Sequence, residues 1–139
     1  MSRKAAAAAA AGLLLYLALL ASVNSYVAGG SDSSGYLNAA RLFRHGRVFE
    51  PIAVLRSVDL PVFDQEVFIP LGFRSRPEPR TMAPTYPPGM PLQMAAAAAI
   101  GGWEKAPFAV VPVSAIAALI LLYLTGRELG LGPGLASIG

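Results

Sequence analysis

AAAAAAAGLLLYLALLASV, residues 5–23, carries no charge, and at 1.5 Å of rise per residue its 19 residues make about 28 Å of helix. That is enough to cross a bilayer. Arg3 and Lys4 stand just before it and nothing basic follows until Arg41, so the positive-inside bias puts the N-terminus in the cytoplasm. A cleaved signal peptide is the rival reading, with Ala21, Ser22, Val23 and Ser25 loosely matching a small-x-small site. The length of the apolar run and a second run downstream favour an uncleaved helix. That second run, APFAVVPVSAIAALILLYLT, residues 106–125, is again free of charge and about 30 Å long as a helix. Pro107 fits a first turn, Pro112 is expected to kink the helix, and Arg127 anchors an inside end.

Composition agrees with lipid as the main solvent. Of 139 residues 55% are hydrophobic and 14% charged, and the mean hydropathy is +0.54. A water-soluble domain carries about a quarter charged residues. The net charge of +3 is too small to suggest a nucleic-acid partner. Without cysteine there is no disulfide, thiolate metal site or cysteine nucleophile, and one histidine, His45, excludes a His-rich zinc site.

The expected fold is therefore an all-α membrane protein with two transmembrane helices flanking a long outer loop. Residues 1–24 hold the cytoplasmic N-terminus and first span, 25–105 the outer loop, 106–125 the second span, and 126–139 a cytoplasmic turn. The last residues read as the start of a third helix, so the chain is expected to be the N-terminal piece of a longer protein. Met90 to Gly102, MPLQMAAAAAIGG, is about 20 Å long as a helix and falls short of the hydrocarbon core. It is expected to lie at the interface near 90–102, with Trp103 as an anchor.

In the outer loop, SDSSGYLNAARLFRHG predicts a juxtamembrane helix near 35–45, closed by Gly46. On a helical wheel Tyr36, Ala39, Ala40 and Phe43 share a face, with Asn38, Arg41, Arg44 and His45 opposite, which suits a helix lying on the membrane surface. Asp32 has two readings. As an N-cap its carboxylate accepts N–H bonds from the first turn; as a functional group it is a base at head-group level. Beyond Gly46, short apolar runs broken by Pro51, Pro61 and Pro70 read as extended segments and turns. Asp59, Asp64 and Glu66 are close enough to invite a divalent metal but lack the calcium-loop pattern, so they read as solvated acids and no cofactor is expected. Arg74, Arg76 and Arg80 could grip a phosphate or simply attract anionic lipid. TYPPGMPL, residues 85–92, approaches a helix through two prolines and a glycine, with Pro91 preset for the first turn.

The order of these motifs resembles the N-terminal part of bacterial GT-C type membrane glycosyltransferases, the dolichyl-phosphate-mannose-protein mannosyltransferase-like and 4-amino-arabinose lipid A transferase-like proteins. The likeness rests on a charge-free first helix, an Asp before a Tyr-Leu-x-x-Ala-Arg helix, Tyr-Pro-Pro-Gly-x-Pro-Leu leading into an Ala-rich helix, and a span ending in Tyr-Leu-x-Gly-Arg. It covers nearly the whole chain. It implies transfer of a sugar from a polyprenyl-phosphate donor at the outer face of the bacterial inner membrane, with the later helices of the full-length protein completing the lipid groove. Asp32 takes the catalytic carboxylate role, and Tyr36, Arg41, Arg74, Arg76, Arg80, Tyr86, Pro87 and Pro88 take donor-binding positions. Where several relatives carry a second acid, Ser33 follows Asp32; where some carry a basic residue at the Pro-Pro lead-in, Thr85 and Tyr86 stand, leaving Arg80 or another arginine to meet the phosphate. The alternative from another class is a non-catalytic two-span envelope protein whose outer loop binds lipid or a partner subunit. A third is a secreted lipid-binding protein with a cleaved leader.

Overall fold

The computed structural model describes residues 3–52, 65–76 and 80–136, and these form two compact units. One comprises residues 1–25 and 111–139, the other residues 26–110.

The first unit is built on the apolar runs. Helix α1 spans Arg3–Val23, where seven successive alanines and the leucines after them supply strong helix formers. A 3-10 turn, Ala106–Ala109, leads into α4, Val110–Glu128. Both helices are long and apolar enough to cross a membrane, and almost none of their length is buried within the protein. Pro112 lies less deep in α4 than the sequence suggests. The 3-10 turn delays the start of the α-helix to Val110, so Pro112 falls in the first turn, where an N–H would have no helical partner. Beyond α4 the backbone N–H of Leu131 returns to the carbonyl of Gly126 at 3.0 Å, and a short helical turn, Pro133–Ala136, follows.

The second unit centres on two helices, α2, Ser31–Arg44, and α3, Gly89–Gly101. Helix α2 ends in a Schellman motif: Gly46, at φ +65°, donates to Phe43, and Arg47 donates to Leu42. In α3 the prolines set the start, with Pro88 at the N-cap and Pro91 in the first turn. Pro91, Met94, Ala95 and Ala98 recur at helical spacing and form the buried face of α3. That face packs on α2. Leu37, Ala40, Met94, Ala95 and Val110 make the core, with Ala28, Tyr36, Trp103 and Phe108 around it. Ala39 and Ala40 are 0% exposed.

Three expectations change. The fold is mostly helical but not all-α, because the second unit also holds a three-stranded antiparallel sheet in the order β1-β3-β2: β1, Glu50–Pro51, β2, Phe73–Arg76, and β3, Thr81–Pro84. Pro51 lies in β1 and Pro84 in β3, beside partner segments that complete the ladder, Pro70 lies before β2, and Pro61 is outside the described residues. Second, α2 begins at Ser31 and not near residue 35. Gly30, extended at φ −148° and ψ 168°, takes the N-cap, so Asp32 lies inside the first turn and is not a capping residue. Third, α2 is no free surface helix, since Leu37, Ala39, Ala40 and Leu42 are buried and Tyr36 and Phe43 lie at the edge of that face.

Candidate functional site

Placing Asp32 in the first turn of α2 puts its negative charge where the helix dipole favours it and turns its carboxylate into the start of a cluster. The Tyr86 hydroxyl donates to Asp32 Oδ1 at 2.5 Å, closing a gap of 54 residues in sequence. Tyr36, one turn along α2 from Asp32, stacks on the Tyr86 ring with centroids 4.6 Å apart and planes 28° apart. The phenol of Tyr86 keeps its proton to higher pH than an ordinary tyrosine. Its hydrogen bond to Asp32 is the main cause, and partial burial and the nearby carboxylate charge act in the same direction.

The Tyr86 ring fits a notch between two glycines. A Cβ on Gly35 would meet its Cε2 at 2.6 Å, and one on Gly72 would meet the same atom at 2.5 Å. Gly72 adopts φ +86°, a backbone conformation that L side chains rarely take. The chain just before Tyr86 is tied to the same place, since the Thr85 N–H donates to the Gly72 carbonyl at 2.9 Å. Pro87 and Pro88 then restrict the backbone on the other side.

The remaining candidates are dispersed. Arg41 is exposed on α2 with its guanidinium 5.7 Å from the Trp103 ring centroid. Arg76 lies 4.0 Å over the Phe49 ring, so its planar face is used within the protein. Arg74 and Arg80 are exposed, on β2 and just before β3. Pro87 and Pro88 are exposed ahead of α3. The contacts of the described residues thus bring Asp32, Tyr36 and Tyr86 together and leave the three strip arginines without a link to that cluster. Glu66 accepts a hydrogen bond from Ser75, and Asp59 and Asp64 lie outside the described residues. Among the described residues no three metal-ligating side chains converge.

Two features go unanticipated by the sequence reading. One is the glycine notch, since Gly35 and Gly72 carry no local signal of a shared neighbour. The other is a pocket of about 220 Å³ lined by Asn38, Leu42, Phe73 and Met82 and flanked by the Arg47–Glu50 ion pair at 3.0 Å, which does not include Asp32 or Tyr86. No family model, curated protein or solved structure matches this chain, so its chemistry is read from the cluster itself.

Proposed function

We propose that this chain is the N-terminal segment of a membrane glycosyltransferase that moves a sugar from a polyprenyl-phosphate donor to an acceptor at the outer face of the bacterial inner membrane. The observation that carries this reading is the hydrogen bond between Asp32 and Tyr86. It joins the acidic residue after the first apolar helix to the Tyr-Pro-Pro-Gly lead-in, two of the four motifs on which the glycosyltransferase resemblance rests.

In the proposed reaction the acceptor O–H or N–H gives its proton to the Asp32 carboxylate as its lone pair attacks the anomeric carbon. The bond from that carbon to the lipid phosphate oxygen breaks, and its electron pair leaves with the phosphate. A carboxylate aligned with the acceptor supplies general-base catalysis, worth about 10²- to 10⁴-fold. Arginines such as Arg74 and Arg80 offset charge on the departing phosphate. The scheme uses one carboxylate and draws on no metal ion. Its partners are the donor lipid, the surrounding membrane and the later helices of the full-length protein. Arg3 and Lys4 at the start of α1 and Arg127 at the end of α4 favour both of those ends in the cytoplasm, with residues 25–105 outside.

The test uses membranes containing the full-length gene product and polyprenyl phosphates carrying radiolabelled hexose or pentose. Asp32→Asn should reduce transfer about 10²-fold or more while leaving the amount of protein in the membrane unchanged. Equal transfer by the variant removes Asp32 from the chemistry. Absence of transfer from every donor by the unmodified protein favours the non-catalytic envelope reading.

A further inference from the structure

We infer that Tyr86 is a positioning residue for the Asp32 carboxylate: a glycine notch and a stacked Tyr36 hold its ring so that its hydroxyl fixes Oδ1 and leaves Oδ2 for the acceptor. This inference rests on the reading of Asp32 as the base.

The arrangement is more specific than a structural hydrogen bond alone requires. A hydrogen bond between two solvent-accessible side chains contributes little to stability, because water offers each group an equivalent partner. Yet the Tyr86 ring needs a glycine on each of two separate segments, one of them at positive φ, and a second aromatic ring laid over it. Glycine adopts that φ without steric cost and leaves the space a side chain would fill, so both positions are open to the ring. The result is a donor whose direction is set by rigid parts: a clamped ring, a backbone tied to Gly72 on one side, and two prolines on the other.

The bond also has a defined chemical effect. Tyr86 donates to one carboxylate oxygen, and among the described residues no donor is found on the other. Asp32 would otherwise rotate about its side-chain bonds on an exposed helix start. Held at Oδ1, it presents the lone pairs of Oδ2 in one direction, which is what proton transfer to a positioned base requires. Because the phenol holds its proton more tightly than usual, Tyr86 remains a donor and does not compete with Asp32 as the base.

Tyr86→Phe separates the two roles, since it keeps the ring for the notch and for Tyr36 and removes only the hydroxyl. In the transfer assay the expected result is a fall in kcat of roughly 10- to 100-fold with KM nearly unchanged, the range corresponding to one hydrogen bond to a charged group. Wild-type kcat in Tyr86→Phe overturns the inference. A second measurement does not need activity: ultraviolet titration of tyrosine, taken as the difference between the wild type and Tyr86→Phe, isolates the Tyr86 phenol. In the Asp32→Asn background its midpoint should drop toward 10.0. An unchanged midpoint shows that Asp32 is not its partner and also overturns the inference. If the midpoint moves but the wild type transfers no sugar, the pairing stands and the glycosyltransferase reading is what fails, taking the catalytic part of the role with it.

Discussion

In α1 and α4 large apolar side chains stand outward, with Leu15 73% and Leu121 63% exposed, whereas in α2 the residues with no exposure are the small Ala39 and Ala40. The two regions use hydrophobicity differently. A leucine on α1 or α4 needs no protein partner if its surroundings are lipid, because acyl chains are as apolar as the side chain. The unit formed by residues 26–110 must exclude water by its own packing, and α2 and α3 do so by meeting through alanines that let the backbones approach. Even so, α3 leaves Ile100 92% exposed, so the contrast between the regions is one of faces as well as of whole helices.

The largest expected effect comes from denying the first region its solvent. Leu121→Arg, near the middle of α4, should oppose insertion by about 3 kcal/mol, the usual cost of a central arginine. The measurement is the share of protein resisting alkaline extraction from membranes. An unchanged share would show that α4 is not in lipid, and the comparison would collapse. A smaller effect is expected from crowding the second region. Ala40→Leu forces a larger side chain between α2 and α3, a change that costs about 1–3 kcal/mol. The one tryptophan, Trp103, packs against this core and reports unfolding of the full chain in detergent through its fluorescence. A midpoint equal to the wild type would mean that the alanine contact does not hold the helices together.

The smallest effect is on pH dependence. The Tyr86 phenol is raised above 10.0 in the folded protein, so it binds its proton more tightly than in the unfolded chain. The stability it contributes is then fully present below about pH 10 and lost as pH rises through the elevated folded value. The difference in unfolding midpoint between the wild type and Tyr86→Phe should shrink across that window and be flat below it. A difference that grows with pH would contradict the direction of the shift. Because the residue lies outside the apolar helices, Leu121→Arg should leave this behaviour untouched wherever the protein still folds.

Legibility from sequence follows the range of the forces involved. The two long apolar helices could be read because a charge-free run of sufficient length depends on nothing outside itself. The end of α2 at Gly46 and the start of α3 at its prolines are local as well. The start of α2 was harder: Asp32 resembles a capping residue, and only the extended backbone of Gly30 places the cap before it. The sheet was read as extended segments but not as a ladder, since pairing Arg74 with Ala83 and Glu50 with Met82 is a property of two segments at once. Asp32 could be singled out as a lone acid after the first span, while nothing near it in sequence marks Tyr86 as its partner.

What the residue order alone determined is the chain's division between apolar helices and a mixed segment, because hydrophobicity and helix propensity act over a few turns. Only the tertiary structure decided that Asp32, Tyr36 and Tyr86 form one cluster and that Gly35 and Gly72 make room for it. A hydrogen bond and a ring contact require atoms within a few ångströms of each other, and for residues 54 positions apart that nearness is set by how α2, α3 and the sheet pack.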